Sequence, residues 1–234
     1  MTNLYFLFII MTSLHAISSV EKKNTYVVKR VRDNELVITG KGSSSIWAKA
    51  TPLEDFVYPW ENDKPPLTRF QALHDTEWLY LLYTVTDPNV NVFVKTNDKS
   101  EVVFSDRVEI FFRRDEKMNP YYGLEIDPNA RIMEYEATYH RKFDSSWSWP
   151  KGGLIAKGNV TADGYTVEVA ISKKSLRQLG LINDHKIEAG IFRANCTLMT
   201  GTDENMKWVS WLKPDSPTAD FHIPSAFGVL VLKE

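Results

Sequence analysis

From Phe70 to the C-terminus, the chain repeats short runs rich in Val, Ile, Tyr and Phe, each bounded by turn-forming residues. Apolar and polar positions alternate within many of these runs, which is typical of strands with one buried face. The runs are RFQALHD, WLYLLYTVTD, DRVEIFFRR, YYGLEIDP, RIMEYEATY, GLIAKGNV, YTVEVAIS, KIEAGIFRAN, KWVSWL and FGVLVLK. Their number and spacing predict an all-β fold, an antiparallel β-sandwich.

One segment has a helical pattern, SKKSLRQLGL at residues 172–181. Ser172 can cap its start, Leu176 and Leu179 share a face, and Gly180 can end it. No linker, charge run or internal repeat interrupts the chain after about residue 21. We therefore predict one short helix and a single domain over residues 19–234.

The first residues, MTNLYFLFIIMTSLHAISS, form an apolar core from Leu4 to Met11 followed by small and polar residues. Ala16 and Ser18 fit the small-residue positions of a signal-peptidase site. The apolar run is too short to span a bilayer. The pattern predicts a signal peptide over residues 1–18, no membrane span, and export to the periplasm, the cell surface or the medium.

Composition narrows the class of ligand. The net charge of −2 argues against a nucleic-acid partner, which normally meets a basic face. Cys196 is the single cysteine, so an intrachain disulfide is excluded, and no zinc-ligand spacing occurs. Aromatic residues make up 12% of the chain, including seven Trp, which favours β-structure or a surface on which a ligand stacks.

Charged residues occur inside the predicted strands, where side chains alternate between faces. Val108, Ile110 and Phe112 should share one face of their strand, with Arg107, Glu109 and Phe111 on the other. Each mid-strand charge either faces water or contributes to one polar site on a concave sheet face. The second interpretation gathers four side chains that could pair, orient sugar hydroxyls or bind a cation. They are Glu109, Glu125, Glu168 and Arg193.

Two of these acids could also be the carboxyl pair of a glycosidase, which must flank the scissile bond at a set separation. Sequence gives no separation, and mid-strand carboxylates are poorly placed to reach a chain lying in a cleft. No nucleophile motif, phosphate-binding loop or metalloprotease helix is present in the sequence. A glycoside hydrolase or lyase is therefore the alternative, and a non-catalytic protein is the prediction.

An ordered set of motifs resembles carbohydrate-binding module family 9, in particular its stand-alone members encoded by gut and environmental Bacteroidetes. The motifs are ITGKG…WAKA, PPLTRFQALHDTEWLYLLYTVTD, SDRVEIFF, YYGLEIDP, DGYTVEVAI, KIEAGIFRA, WVSW and DFHIPSAFGVLVL. They extend from about Tyr26 to the C-terminus. The resemblance implies a β-sandwich of the type shared with DOMON domains, an immunoglobulin-like jelly roll, and carbohydrate as the ligand.

The resemblance also implies a site. In the best-known members, which are appended to xylanases, two Trp clamp the reducing end of a glycan. Here Val103, with Phe104 adjacent, takes the place of the first Trp, and Phe221 takes the place of the second. The Glu of the DxVEIF motif matches Glu109, and a sugar-contacting Arg falls on Gly123. The Trp clamp is thus not preserved.

Structural calcium is also implied by the resemblance. Asp87, Asp98 and Asp106 lie in the corresponding region and are the candidate ligands, with Asp87 and Asp106 the ones we select. Asp is also an ordinary turn residue, so a purely structural role is the alternative.

Other aromatic residues must then supply a stacking surface. Trp147 and Trp149, in SSWSWP, would point to opposite sides of an extended loop, so one could face a ligand while the other pins the loop. Trp60 in VYPWEND is a second candidate, and Phe221 with His222 is a third. Burial in the core is the alternative for each, and it is the interpretation for Trp47, Trp78, Trp208 and Trp211.

The sequence therefore predicts an exported, non-catalytic protein that binds oligo- or polysaccharide and supports polysaccharide capture and catabolism, with glycan-degrading enzymes as partners. A haem-binding redox domain is a further alternative, drawn from the DOMON relation. It would require a Met and a His facing one pocket, for which Met118, Met133 and His140 are available.

Overall fold

A computed structural model describes residues 24–234, and the predicted signal peptide lies outside this range. Twelve strands account for most of the regular structure. Their bounds are β1 Thr25–Arg30, β2 Thr68–His74, β3 Trp78–Thr86, β4 Arg107–Arg113, β5 Tyr121–Ile126, β6 Ile132–Thr138, β7 Lys142–Asp144, β8 Leu154–Thr161, β9 Gly164–Ser172, β10 Lys186–Cys196, β11 Met206–Ser210 and β12 Gly228–Lys233.

The helices are few and short. Within residues 24–234 one α-helix, α1, spans Lys173–Gln178, and 3-10 helices span Ser45–Lys49, Lys99–Phe104 and Pro224–Ala226. The Ser172 hydroxyl accepts a hydrogen bond from the Lys174 amide at the start of α1, and Gly180 follows its end with φ +71°. The predicted helix is therefore confirmed, together with its cap.

The strands form one hydrogen-bonded path that folds into two facing layers. The order along the path is β7-β6-β5-β4-β10-β12-β1-β2-β3-β9-β8, and β11 pairs with β10. The main core contains Val108, Ile110 and Phe112 of β4 together with Leu81 and Tyr83 of β3. The Tyr83 hydroxyl donates to the Glu109 carbonyl oxygen at 3.0 Å, which joins the two halves of the path. The predicted all-β sandwich is confirmed.

The sheet is mixed rather than wholly antiparallel. β1 runs parallel to both of its neighbours, β12 and β2. All other neighbouring strands pair in the antiparallel sense within residues 24–234. The parallel pairs follow from the position of β1, which bridges strands from opposite ends of the chain.

A second hydrophobic cluster lies on the face of β4, β5, β6 and β10 that points away from the main core. It includes Phe111, Tyr121, Tyr135, Phe192 and Phe221. Because side chains alternate along a strand, this outward face carries the odd-numbered residues of β4, as the sequence predicts. No helix within residues 24–234 is long and apolar enough to cross a membrane.

Candidate functional site

A cavity of about 520 Å³ opens on the outward face of β4, β5 and β6. Its lining combines aromatic rings with charged side chains, a composition that suits a ligand with both apolar and hydroxyl-bearing faces. The cavity lining includes Trp60, Val103, Arg107, Glu109, Phe111, Glu125, Met133, Tyr135, Arg141, Phe143, Asp203, Trp208, Asp220, Phe221 and His222.

Two carboxylates and one guanidinium form the floor of the cavity. Arg107 and Glu109 are two residues apart on β4, so they share its outward face, and Glu125 is the cross-strand partner of Glu109 on β5. The Arg107 Nε lies 2.9 Å from Glu109 Oε1 and 2.7 Å from Glu125 Oε2. All three side chains are buried. The guanidinium is thus shared between two acids.

The contacts on the floor are close but not aligned as hydrogen bonds. Arg107 Nε, Glu109 Oε1 and Glu125 Oε2 are buried without an aligned hydrogen-bond partner among the described residues, and so is the Tyr135 hydroxyl. Arg107 Nη1 donates instead to the Val103 carbonyl oxygen at 2.8 Å. The floor therefore brings a guanidinium, two carboxylates and a phenol hydroxyl together beneath the cavity.

Burial governs the protonation of this floor. Desolvation raises the pKa of Glu109 to about 8, although Arg107 opposes the shift and Glu125 adds to it. The pKa of Tyr135 is raised by burial and then by the negative charges of Glu125 and Glu109. Near neutral pH, Glu109 is therefore largely protonated and can donate as well as accept a hydrogen bond.

Two groups of aromatic side chains complete the lining. The tryptophan group consists of Trp60, Trp208 and Phe221, with Phe221 5.4 Å from Trp60 and 5.8 Å from Trp208 between ring centroids. The indoles of Trp60 and Trp208 are half-buried, so part of each remains open. The Arg107 guanidinium lies over the Trp208 ring at 5.4 Å, which connects this group to the floor.

The tyrosine group consists of Tyr135, Phe143 and His222. Phe143 lies 5.1 Å from Tyr135 and 5.0 Å from His222 between ring centroids, and it remains 46% exposed. His222 stacks on Phe111 at 5.0 Å, and its Nδ1 lies 3.1 Å from the Tyr121 hydroxyl. Burial, and then the positive charge of Arg141, lower the pKa of His222 to about 3, so this ring is neutral.

The rim is held by Asp220. Its Oδ2 lies 2.6 Å from His140 Nε2, and its Oδ1 lies 3.4 Å from Arg141 Nη1 and accepts from the His222 amide at 2.9 Å. Burial is the largest influence and would raise the pKa of Asp220, but the hydrogen bonds with His140 and the His222 amide and the nearby charges together outweigh it, so the pKa is lowered. Asp220 thereby ties the turn between β6 and β7 to the segment that carries Phe221 and His222.

Comparison with known families identifies the chain. The sequence profile described as "Carbohydrate family 9 binding domain-like" matches residues 38–234, which is most of the chain. The protein belongs to this family. Among curated proteins, no match to this chain was found.

Solved structures with the same fold include two of family 9 modules. A candidate carbohydrate-binding protein from Bacteroides uniformis superposes with a TM-score of 0.64 at 18% identity, covering 90% of this chain and 99% of that one. A family 9 module from Caldicellulosiruptor kristjanssonii, in complex with glucose, gives a TM-score of 0.59 at 18% identity, with 89% and 95% covered. The same organism's family 9 module in complex with cellotriose gives 0.58 at 19% identity, with 89% and 93% covered.

Five of the predicted site residues meet at the cavity. Glu109 and Glu125 lie on its floor, and Trp60, Phe221 and His222 contribute to its aromatic lining. Val103, at the position of the first clamp Trp in the family resemblance, also lines the cavity. Trp208, supplied by β11, contributes an indole to the same cavity.

Trp147 and Trp149 do not face this cavity, which corrects their prediction as a ligand platform. Trp149 is 6% exposed, and its Nε1 donates to the Ser175 hydroxyl at 2.9 Å. Trp147 packs on Tyr122 at 5.1 Å and on Trp149 at 5.8 Å between ring centroids. Both indoles fold back onto the main core, so the aromatic loop 145–153 is pinned by its own tryptophans.

Glu168 and Arg193 are also absent from the floor, so only two of the four predicted charges share it. Glu168 lies on β9 in the other half of the sheet, where its carboxylate accepts from Trp47 Nε1 at 2.7 Å and from the Thr39 amide at 2.7 Å. Arg193 is on the core-facing side of β10, opposite Val108, and pairs with Asp87 at 2.5 Å. Arg193 is therefore on the opposite face of the sheet from Glu109, and Glu168 is on a distant strand.

The two predicted calcium ligands are held by protein donors. Asp87 pairs with Arg193 and accepts from the Asn89 amide, and Asp106 accepts from the amides of Asn91 and Cys196. Burial raises the pKa of Asp106 to about 7. Within residues 24–234, no group of three or more His, Cys, Asp or Glu could hold a metal ion. The arrangement, with a guanidinium beside the carboxylates, does not fit the calcium site that the resemblance implies.

Three lining residues that the sequence does not single out are Arg107, Tyr135 and Trp208. Alternation puts Arg107 on the correct face, and its spacing of two from Glu109 is the available signal. Tyr135 has no signal of its own, because its role depends on pairing with Gly123 across the sheet. Trp208 is predicted to be core, but it lies on the short strand β11, which pairs with β10 and otherwise bridges to Val57 at Ser210, and its indole remains half-buried.

The residues of the haem alternative are dispersed. Of Met118, Met133 and His140, Met133 alone lines the cavity. Met118 is fully buried in the second hydrophobic cluster, and His140 lies on the rim beside Asp220. His222, the histidine in the cavity lining, is held flat against Phe111. Met118, Met133 and His140, the residues named for this alternative, therefore do not meet at one pocket.

Proposed function

We propose that this protein binds carbohydrate non-catalytically in the cavity above Arg107, Glu109 and Glu125. The proposal rests on one observation. A single cavity combines partly exposed aromatic rings with buried polar atoms that lack well-aligned hydrogen-bond partners. A sugar ring has apolar C–H faces that stack on aromatics and hydroxyls that donate and accept hydrogen bonds. Family relatives of the same fold were solved with glucose and with cellotriose, which supports this class of ligand.

The placement of the two acids favours binding over hydrolysis. A glycosidase needs its two carboxyl groups on either side of the scissile bond. Glu109 and Glu125 are cross-strand neighbours on one sheet face, and both contact the same Arg107 nitrogen. Engaged side by side by a shared guanidinium, they are suited to orienting hydroxyls rather than to attacking and protonating a glycosidic bond.

We further propose that the protein is exported and acts in the capture and breakdown of polysaccharides, with glycan-degrading enzymes as its functional partners. The signal-peptide pattern of residues 1–18 supports export, and the family supports a role beside such enzymes. Fractionation of the native host, with an antibody against the protein, would test export directly. Protein found exclusively in the cytoplasm would refute it.

The binding proposal is tested on a glycan panel that includes xylans, glucans, pectins and host glycans. The variant is Phe143→Ala, which removes an exposed ring of the cavity, and the matched control is Tyr139→Ala, an equally exposed ring outside its lining. Removing a stacking ring should weaken binding roughly tenfold, about 1.4 kcal/mol, while the control binds as the wild type does. Silence across the panel by a folded protein, or release of reducing sugar during long incubation, would contradict the proposal.

A further inference from the structure

The charges around the cavity are unbalanced. Four acids line it, Glu109, Glu125, Asp203 and Asp220, against two guanidinium groups. Both guanidinium groups are engaged, since Arg107 contacts the two glutamates and Arg141 contacts Asp220. The cavity therefore offers a ligand no unpaired cation among its described lining residues, and even with Glu109 protonated the other three acids outnumber the two guanidinium groups.

The imbalance is sharpest at the floor. Two buried carboxylates share one guanidinium, which can neutralise only one of them. The contacts run through Nε, while Nη1 donates to the Val103 carbonyl oxygen. A buried charge without a counter-charge is costly, so the second carboxylate requires a proton or a cation. In the absence of ligand, a proton on Glu109 neutralises the second carboxylate, consistent with the raised pKa of Glu109.

Tyr135 adds a third polar side chain to the floor. Its hydroxyl is buried in the cavity lining, 3% exposed as a residue, where burial and then the negative charges of Glu125 and Glu109 raise its pKa. A phenol oxygen beside two carboxylates is best complemented by a group that donates several hydrogen bonds at once. An ammonium group has three N–H donors and a positive charge, and the surrounding aromatic rings attract it further.

We propose that the floor of the cavity accepts a protonated amine, so that the preferred carbohydrate is one that carries amino sugars. The inference rests on the proposed carbohydrate binding and specifies its ligand class. A hydroxyl at the same place would satisfy some of the acceptors but would leave the second carboxylate uncompensated. A sugar carboxylate would meet four acids and no free cation, and would be rejected.

The test compares three β-1,4-linked trisaccharides that differ at one position of each ring. Cellotriose carries a hydroxyl there, the glucosamine trimer an ammonium group and the N-acetylglucosamine trimer an acetamide. Isothermal titration at about pH 6.5 should give the glucosamine trimer an affinity at least about tenfold higher than either of the others, because charge-assisted hydrogen bonds are the stronger ones. Titration in two buffers of different ionisation enthalpy should also reveal proton release, since the ammonium displaces the proton of the floor.

Variants locate the effect. Glu125→Gln removes one floor charge and should reduce the preference for the amine, whereas Glu54→Gln, which removes an exposed acid paired with Arg69, should leave it intact. If Glu125→Gln does not fold, proton release on binding to the wild-type protein still tests whether the ammonium group binds at the floor. Trilysine serves as a cation without a sugar, and equal binding of trilysine would overturn the inference.

The amine preference and carbohydrate binding itself can fail separately. Equal or tighter binding of cellotriose would refute the amine preference and leave carbohydrate binding standing. Tighter binding of the N-acetylated trimer would do the same, because the acetamide carries no charge. Silence toward every glycan would refute the proposed function itself.

Discussion

The phenol ring of Tyr135 lies directly over Gly123, its cross-strand partner on β5. A Cβ atom at position 123 would lie 2.1 Å from Tyr135 Cζ and 2.4 Å from its hydroxyl oxygen. The ring can cross the strand only because position 123 has no side chain. The ring thereby reaches the cavity lining, beside Glu109 and Glu125 of the floor.

Gly123→Ala should displace Tyr135 and so weaken carbohydrate binding by roughly tenfold. Overpacking of this kind costs about 1–3 kcal/mol of stability, because the ring must leave its position. Denaturant unfolding of Gly123→Ala, Tyr135→Ala and the double variant measures the coupling between the two sites. Since the double variant has no ring to displace, its loss of stability should be smaller than the sum of the two single losses. Additive losses would show that Tyr135 does not depend on Gly123.

Trp149 should matter for stability and not for ligand affinity. Its indole is buried in the main core and donates to Ser175, away from the cavity. Trp149→Phe leaves a smaller ring and removes the hydrogen bond to the Ser175 hydroxyl, which keeps its bond to the Ser172 carbonyl oxygen, and should lower the free energy of unfolding by about 1–3 kcal/mol. Calorimetric binding at a temperature where the variant is folded should match the wild type. A loss of affinity equal to that of Phe143→Ala would show that the loop 145–153 contributes to the binding site.

Glu168→Gln should destabilise the loop that carries Thr39 and Gly40. The Glu168 carboxylate accepts from Trp47 Nε1 and from the amides of both loop residues, and it is fully buried. Replacing one carboxylate oxygen by an amide N–H leaves at least one donor unsatisfied, at a cost of roughly 1–3 kcal/mol. Hydrogen exchange should show faster opening at residues 39 and 40. Unchanged exchange there would mean that the loop is held by other contacts.

Glu109 should make stability fall as the pH rises from about 4.5 to 8, whereas His222, with its pKa lowered from 6.5 to about 3, acts in the opposite sense below about pH 6.5. The pKa of Glu109 is about 8 in the folded protein and 4.5 ordinarily, so between these values the folded state holds a proton that the unfolded chain has released. Asp106, with a pKa of about 7, adds to the same slope. Urea unfolding of the wild type and of Glu109→Gln across this range measures it. The variant should show the flatter profile, and identical slopes would mean that Glu109 does not titrate in this window.

Strand periodicity is sufficient to predict the sandwich and the correct face of β4. An alternation of two residues is a local property, so the sequence alone places Arg107, Glu109 and Phe111 on the face opposite Val108, Ile110 and Phe112. The cap of α1 at Ser172 is local as well. The pairing of Glu109 with Glu125 follows from the hairpin between β4 and β5, which brings neighbouring charges into register.

The errors concern contacts between residues that are distant in sequence. Trp47 and Glu168 are separated by 121 residues, and Asp87 and Arg193 by 106. Nothing in the local sequence around Glu168 or Arg193 shows that a remote indole or carboxylate pairs with it. The same limit applies to Trp149, whose burial depends on Ser175, and to Trp208, whose exposure depends on the short pairing of β11.

The central claim is that carbohydrate binds beside Trp60 and Trp208, and fluorine NMR of 5-fluorotryptophan-labelled protein tests it most directly. The chain has seven Trp residues, so each resonance can be assigned by single substitution. On titration with a glycan that binds in the panel, the account predicts that the resonances of Trp60 and Trp208 shift while those of Trp47, Trp149 and Trp211 remain in place. Shifts confined to Trp147 and Trp149, with Trp60 and Trp208 unchanged, would contradict it.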